Sequence, residues 1–582
     1  LDVIFTEMEN REIAQLLHET ADLMEVAAQD GFRIRSYRNA ASVIIGHPER
    51  IQDILLDPNR KVTDIPGIGK GLAAVLVEIA QRGSFERRDE MLAKYPASAL
   101  ELLKIQGLGP KSIALLYEHH GVKSVDDLER ICREQKLREL PRMGAKLEEK
   151  VLRGIESYRK SAGRYLLNYG QHVADELISS FQALPGIDRV EAAGSLRRGR
   201  ETIGDLDILV TGPQAVGALS HIIAHPKTQE VLGQGANKAS VLFGLERLQV
   251  DVRALPHESF GAALQYFTGS KDHNVVLRTN ALKLGLTLNE YGLFTVDTNE
   301  RVAGGDEAEI YQRLGYAWIA PELRENSGEL DAAAAGTLPK LVNLLDMRGD
   351  IHMHTTETDG KATLREMAEA AAILGYEYIA ITDHSKALAM ANGLDEQRVV
   401  AFAQQVRELN REGLPLRVFS GLECDILRDG AMDLSEDALA ELDLVIGSVH
   451  SFFSIEAEEM TDRLLHVLDS PSLRILGHIT GRLLLSRESY PFDFERVSAR
   501  AAEKRVWFEI NASPERLDLP SHLIRGAKRK GCRFTISTDA HRQSHLANMR
   551  FGVTTARRGW LEKGDVINTR SLSDFEAALA NK

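Results

Sequence analysis

From about residue 346 to the C-terminus, the sequence keeps ending short apolar runs on histidine or an acid. The sites are His352-Met353-His354 with Asp359 close behind, Thr382-Asp383-His384, Gly421-Leu422-Glu423, Ser448-Val449-His450, Gly477-His478 and Ser537-Thr538-Asp539-Ala540-His541. The runs at 378–382, 443–449 and 507–511 have strand character, and helix-length stretches separate them, which predicts a parallel, barrel-like α/β domain. Strand ends of such a barrel share one mouth, so the polar residues that follow them converge there. His352 and His354 lie two apart and face one way along a strand, as do Asp539 and His541. One histidine of this kind is more often a hydrogen-bonded core residue than a ligand, so the joint pattern carries the reading. Imidazole mixed with carboxylate suits manganese, zinc or iron. The nine side chains His352, His354, Asp359, His384, Glu423, His450, His478, Asp539 and His541 exceed one ion's needs, so two or three ions are expected.

At 582 residues the chain is too long for one hydrophobic core. Residues 10–90 and 91–160 read as helical; Ile13, Leu16, Leu17, Thr20, Ala21 and Met24 fall on one helical face. After 161 strand-like alternation begins, as at 205–210 and 249–254. Residues 326–345, with Asn326, Ser327, Gly328, an alanine run and Pro339, read as a linker.

Two short motifs recur in the helical part. Ile65-Pro66-Gly67-Ile68-Gly69-Lys70 and Ile105-Gln106-Gly107-Leu108-Gly109-Pro110 each lead into a helical stretch, the second continuing through Lys111. Glycine permits the tight turn, and the helix start offers unpaired backbone N–H groups and partial positive charge to a phosphate. A plain glycine cap between packed helices is the bland alternative, and the repetition argues against it. The pair resembles the helix–hairpin–helix motif, which holds a DNA strand by its backbone. With Tyr37-Arg38-Asn39-Ala40-Ala41, it is similar to the amino-terminal region of DNA polymerase beta and its relatives. That resemblance implies DNA contacts at Gly67, Gly69, Lys70, Gly107, Gly109 and Lys111.

Gly194-Ser195-Leu196-Arg197-Arg198-Gly199 precedes Gly204-Asp205-Leu206-Asp207, and Val250-Asp251-Val252-Arg253 follows later. Asp205 and Asp207 share a strand face, and Asp251 can lie beside them on a neighbouring strand. Three convergent carboxylates repel one another unless hard divalent cations join them. Two such ions, magnesium or manganese, suit nucleotidyl transfer. Gly194 and Ser195 offer a turn and a hydroxyl to a triphosphate, and Arg198 a neutralising charge. Gly-Ser followed shortly by Asp-x-Asp resembles the nucleotidyltransferase superfamily. Tyr266-Phe267-Thr268-Gly269-Ser270, with Asn274 and Arg278, matches the thumb motif of family X DNA polymerases. The resemblance covers about residues 1–325. It implies that Tyr266 and Phe267 pack under the incoming sugar, that Gly269 belongs to the same nucleotide site, that Asn274 touches the base edge and that Arg278 approaches the template. Family members with deoxyribose-phosphate lyase activity carry a nucleophilic lysine where Val75 stands here. No lysine occurs from 71 to 80, so a Schiff base is not expected.

The ligand order from residue 346 resembles the PHP (polymerase and histidinol phosphatase) superfamily, with Ile479 where proline is common. The family implies metal-assisted phosphoester hydrolysis. On a family X polymerase it implies a 3′–5′ exonuclease, in some members with abasic-site cleavage or 3′-phosphate removal.

The expected organisation is multidomain: all-α helix–hairpin–helix regions at 1–90 and 91–160, an α+β nucleotidyltransferase palm at 161–262, a thumb at 263–325, the linker, and a distorted TIM-like PHP barrel at 346–582. A net charge of −14 argues mildly against a nucleic-acid partner, yet residues 91–204 carry nineteen basic and fifteen acidic residues. Residues 1–10 do not read as a signal peptide, and no apolar run is long enough for a membrane span. Cys132, Cys424 and Cys532 read as buried free thiols of a reducing cytoplasm. The expected partners are dNTPs and gapped or primer-template DNA with its 3′ ends, for a monomeric, nucleoid-associated enzyme. A small-molecule phosphatase with a relic transferase would show an eroded Asp205–Asp207–Asp251 triad, and a non-catalytic DNA-end scaffold eroded ligands in both sites; both sets are intact in the sequence.

Overall fold

The computed structural model describes residues 8 and 10–580 except 48, 58, 96, 97, 104, 106, 142 and 162; most of the stretch read against a signal peptide, and Gln106, lie outside them. The chain divides into two compact units, Leu1–Gly163 and Arg164–Lys582.

The first unit is helical. Helix Asn10–Val26 buries Ile13, Leu16, Leu17, Thr20, Ala21 and Met24 along one stripe, as the periodicity predicts. The one polar member, Thr20, satisfies its hydroxyl on the Leu16 carbonyl at 2.7 Å. Helix Gly31–Gly46 packs against it and starts at Asp30, whose carboxylate accepts the Phe32 N–H at 3.1 Å.

The second unit opens with a five-stranded sheet in the order Arg189–Ala192, Asp205–Thr211, Leu248–Leu255, Lys238–Phe243, Thr228–Gln234. Its central pair is parallel, with Asp207 directly opposite Asp251. Leu206, Ile208 and Val210 turn to the other face and are fully buried, which fixes the register by keeping the acids out of the core. Helices Phe260–Thr268 and Lys271–Lys283 and a three-stranded antiparallel sheet, Leu286–Asn289, Gly292–Thr295 and Arg301–Ala303, follow.

The start of the stretch expected to be a linker is folded. Residues Glu329–Ala334 form a short helix whose Leu330 and Ala333 join the core beneath those helices. Glu329 is fully buried, paired with His273 Nδ1 at 2.7 Å and accepting the Asn326 and Ser327 N–H groups at 2.8 and 2.7 Å. A buried carboxylate with three partners anchors the segment that its composition made look loose.

Seven parallel strands complete the unit, in sequence order: Gly349–Asp350, Tyr378–Ile381, Arg417–Asp425, Leu444–Ser448, Leu473–Leu476, Trp507–Asn511 and Phe534–Ser537. The first and last strands are joined by Asn568, which is fully buried. Its amide donates to the Gly349 carbonyl at 2.8 Å and the Ile536 carbonyl at 2.6 Å, and its oxygen accepts the Ile536 N–H at 3.0 Å. Helix Leu572–Ala580 places Phe575 against the strands' entry side, stacked on Tyr378 at 4.4 Å. The barrel is docked on the first sheet: its Leu517 and Phe551 are members of that sheet's core. All three cysteines are buried and free. Among the described residues, no helix is long and apolar enough to cross a membrane.

Candidate active sites

In the first unit both glycine hairpins have the same turn. Gly67 and Gly107 take positive φ, +94° and +101°, and Ile68 and Leu108 N–H groups close onto the carbonyls of Ile65 and Ile105 at 3.0 and 3.2 Å. Gly69 and Gly109 then cap helices Lys70–Arg82 and Pro110–His120. A Cβ at either cap would meet nothing within 4 Å, so both helix starts are open to a partner's backbone, with exposed Lys70 and Lys111 beside them. A third copy escaped the sequence reading. Met143 N–H closes onto the Leu140 carbonyl at 3.1 Å, and Gly144 leads into helix Ala145–Ser161. Its signal was Leu140-Pro141-Arg142-Met143-Gly144, which repeats the first hairpin with Arg142, outside the described residues, at the first glycine position. Val75 lies half-buried in a cleft with Arg33, Tyr37, Glu78 and Arg87, and no lysine lines it.

On the five-stranded sheet, Asp205, Asp207 and Asp251 meet at one end of the parallel pair. Burial raises the Asp207 carboxyl to about 7, and the neighbouring Asp205 and Asp251 charges add to the rise. Asp251 goes the other way. Burial works to raise it, but hydrogen bonds from Lys238 and Ser240 hold it below the usual carboxylate range, with Lys238 Nζ at 2.6 Å. Neither Lys238 nor Ser240 stood out in the sequence, since each is one alternating residue of an ordinary strand. Three convergent acids that repel one another fit a site for divalent ions, whose charge would offset that repulsion.

The Gly194-Ser195 turn sits directly on this trio. Ala193 N–H donates to the Asp207 carbonyl at 2.9 Å; Gly194 has φ +63°, and a Cβ on it would lie 3.1 Å from Asp207 Oδ2. Arg197 forms a two-pronged pair with Glu307 at 2.8 and 3.0 Å. Arg198, expected to neutralise a triphosphate, is turned instead toward the Thr268 carbonyl and Glu325, with Nε 3.2 Å from Glu325 Oε1. Tyr266 and Phe267 meet edge to face at 5.1 Å, and the Arg253 guanidinium lies 4.2 Å from the Phe267 ring centre. The Asn274 amide is fixed by Gln265 at 2.7 Å and by the Tyr266 carbonyl at 2.8 Å. A Cβ on Gly269 would lie 3.1 Å from Arg198 Nη1. Arg278 is exposed on helix Lys271–Lys283.

The barrel mouth gathers all nine of its candidate ligands. His354, Asp359, His384 and His541 form one group whose ligand atoms lie within 4.8 Å of one another; His352, His354 and Asp539 form a second; His384, Glu423 and His450 a third. His478 Nε2 reaches Glu423 Oε1 at 2.8 Å. Sharing His354 and His384 makes the three groups one continuous cluster. Buried nitrogens of His352, His354, His384, His450 and His478 have no hydrogen-bond partner. Buried polar atoms are normally paired, so convergent orphaned imidazole nitrogens fit metal ions. Burial lowers the His352 imidazole, but Glu509, Glu423 and Asp539 outweigh it and raise it well above its ordinary value. Burial also lowers His384, and Glu423 and Asp359 reverse this to about 10. His354 falls to about 3, through burial and then the neighbouring His384 and His541.

Behind the ligands stands a ring of polar residues that the sequence reading passed over. Glu509, fully buried, accepts from His352 Nδ1 at 2.6 Å and from His478 N–H at 2.8 Å. Asn511 donates to Asp539 at 3.0 Å. Asp383 accepts Thr355 N–H and hydroxyl at 2.8 and 2.6 Å, steadying the loop between His354 and Asp359. Such partners aim the ligand nitrogens. Asp383 and Glu509 sit inside strings already singled out, but nothing in a one-dimensional pattern separates a ligand from the residue that orients it.

Family models match along most of the chain: a helix-hairpin-helix domain at 8–85, a SAM-like helix-hairpin-helix tandem at 99–157, the DNA polymerase beta thumb at 263–325 and the PHP domain at 350–513. The tandem match spans the second hairpin and the third. The PHP match stops before Asp539 and His541, which the geometry adds to the cluster. The protein named DNA polymerase/3′-5′ exonuclease PolX of Bacillus subtilis is 36% identical over 573 residues, covering 98% of this chain and 99% of that one. DNA polymerase lambda of Arabidopsis thaliana is 26% identical over 54% of this chain and 62% of its own length, and that of Rattus norvegicus 26% over 46% and 48%. The likeness to PolX from end to end, with the thumb and PHP models matched in one chain, means that this protein belongs to the family X DNA polymerases that carry a C-terminal PHP domain.

Proposed function

We propose that this chain extends DNA 3′ ends at the Asp205–Asp207–Asp251 centre and shortens them at the barrel mouth, as a gap-filling repair polymerase with a 3′–5′ exonuclease. The observation that carries the reading is the coexistence of two complete sites: three register-matched carboxylates under a Gly-Ser turn, and nine converging ligands with orphaned imidazole nitrogens.

At the first site Asp205, Asp207 and Asp251 would hold magnesium or manganese, and at the second the nine ligands would hold two or three ions of manganese, zinc or iron. Such ions supply charge neutralisation and an activated attacking oxygen. The chain's own residues do the positioning. Backbone N–H groups at Gly67–Gly69 and Gly107–Gly109 hold DNA phosphates without reading bases. Tyr266 and Phe267 form the floor under the sugar, with Phe267 braced by Arg253. Asn274, its amide orientation set by Gln265, addresses the base edge, and Arg278 the template. In the barrel Glu509 holds the His352 Nδ1 proton and so presents Nε2 inward. Abasic-site cleavage and 3′-phosphate removal belong to the same proposed phosphoesterase chemistry.

The test is incubation with a labelled one-nucleotide gap and Mg²⁺ or Mn²⁺, with and without dNTPs. Extension with nucleotides and 3′–5′ shortening without them are expected. Hydrolysis of small phosphate esters with no action on DNA would favour the phosphatase alternative.

A further inference from the structure

The turn that carries Gly194 and Ser195 is held from outside the polymerase half of the chain. Helix Met549–Arg558 begins soon after the candidate barrel ligand His541 and meets the segment just past this turn, at Arg198 and Gly199. A Cβ on Gly199 would lie 2.1 Å from Thr554 Cγ2, so the turn and the helix touch where only glycine fits. At the end of the helix, Arg558 Nη1 donates to the Arg198 carbonyl at 2.7 Å and lies 3.1 Å from Glu325 Oε1. Glu325 is also met by Arg198 Nε at 3.2 Å and by Arg200 Nη1 at 3.7 Å. Arg558 is almost wholly enclosed, with its side chain 6% exposed, and a buried, charge-assisted contact of this kind holds its partners in place. The node therefore joins the Gly194–Arg200 segment, the end of the thumb and the barrel. Through Arg198, bonded to the Thr268 carbonyl, it reaches the Tyr266-Phe267-Thr268-Gly269 string as well.

We infer that Arg558 is a positioning residue for nucleotidyl transfer: from the phosphoesterase half of the molecule it fixes the backbone of Arg198 and the charge of Glu325, and so pre-forms the Gly194-Ser195 turn that receives the nucleotide's phosphates. The inference rests on the polymerase reading above. Arg558 touches neither the carboxylate trio nor the barrel ligands among the contacts described, so its effect runs through the turn. The side chain of Arg198, whose neighbour in sequence is already committed to Glu307, is kept on Glu325 by the same node. It becomes available to a triphosphate only by exchanging that partner, and Arg558 and Arg200 remain to hold Glu325 when it does.

Full-length wild type, R558A and R558K would be compared in single-nucleotide gap filling, with KM for dNTP and kcat measured separately, and in 3′–5′ degradation of single-stranded DNA. R558A is expected to raise KM about tenfold, the scale of one lost charge-assisted hydrogen bond, with a smaller change in kcat and degradation within about twofold of wild type. R558K keeps a charge for Glu325 but loses the planar fork, so a rise of about threefold is expected. A dNTP KM for R558A within about twofold of wild type overturns the inference. If R558A does not fold, R558K decides: an unchanged KM refutes the inference, and a raised KM with intact degradation supports it. Wild-type protein that fills no gaps would instead refute the polymerase reading, and this inference with it.

Discussion

Glu307 offers a sharp quantitative test of how the polymerase half is held together. Its carboxylate is nearly enclosed and accepts four donors: Arg197 at 2.8 and 3.0 Å, Arg324 Nη1 at 2.6 Å and Trp318 Nε1 at 3.0 Å. Burial acts to raise this acid, but Arg324 first and Arg197 next hold it far below the usual carboxylate range. Glu307→Gln keeps the shape and replaces one oxygen with an NH₂ group that faces donors. Arg324, fully buried, would keep its charge with no counter-charge, held only by the neutral Gln oxygen and the Ile319 carbonyl. Breaking a buried pair from one side costs about 3–5 kcal/mol.

The dependence on pH follows from the sign of the shift. A depressed carboxyl contributes stability that is fully present above its unfolded value of 4.5 and is lost as pH falls toward its folded value. The gap between wild type and Glu307→Gln should thus be flat from neutral pH upward and about 0.8 kcal/mol smaller at pH 4 than at pH 7. Urea unfolding, followed through the transition of the second unit, measures both. A gap under about 1 kcal/mol at pH 7, or one that grows on acidification, would refute the argument.

Further outcomes follow from the same geometry. Asp207→Ala should abolish nucleotide addition, spare barrel hydrolysis and, in chelator, unfold no earlier than wild type, because it removes one of three mutually repelling acids; templated synthesis by this variant would refute the assignment. Glu509→Gln should lower 3′–5′ degradation about 10–100-fold while gap filling persists, since it weakens the hold on His352 without removing a ligand; paired nuclease and polymerase assays read this out. Asn568→Ala should destabilise the barrel by about 2–4 kcal/mol through its orphaned Gly349 and Ile536 groups, visible in calorimetry of the full chain. Borohydride should trap no abasic-site adduct on the first unit, because Val75 cannot form a Schiff base; a mapped adduct there would overturn that.

Some of this was legible in the sequence because its periodicity is strict. The stripe from Ile13 to Met24 and the alternation around Asp205 and Asp207 each follow one rule, burial of one face, and a strand or helix is the only way to obey it. The meeting of the nine candidate ligands at the barrel mouth was legible because most of them follow an apolar run. What stayed hidden depends on contacts far apart along the chain. Asn568 joins Ile536, 32 positions away, to Gly349, 219 positions away, and reads locally as one polar residue in a loop. Glu329 lies in a segment whose alanines and glycines suggest slack, and only its pairing with His273, 56 positions away, shows it to be an anchor. Arg198 was read from its motif as a neutralising charge for a triphosphate; the acid it meets here, Glu325, lies 127 positions away and gives no local sign.

The docking of the barrel on the polymerase sheet also constrains how the two activities can be separated. Leu517 and Phe551 from the barrel fill the core under Asp207's strand, and Arg482 crosses to Glu201 at 3.0 Å while also donating to the Arg516 carbonyl at 2.9 Å. Removing residues 346–582 would therefore take away part of the sheet's own core, expose its apolar neighbours to water and break the Glu201–Arg482 pair. Loss of synthesis in such a truncation would report damage to the sheet as readily as a catalytic role for the barrel. Single substitutions at Asp207 and Glu509, each confined to one centre and leaving that interface whole, are the perturbations that can assign the two chemistries.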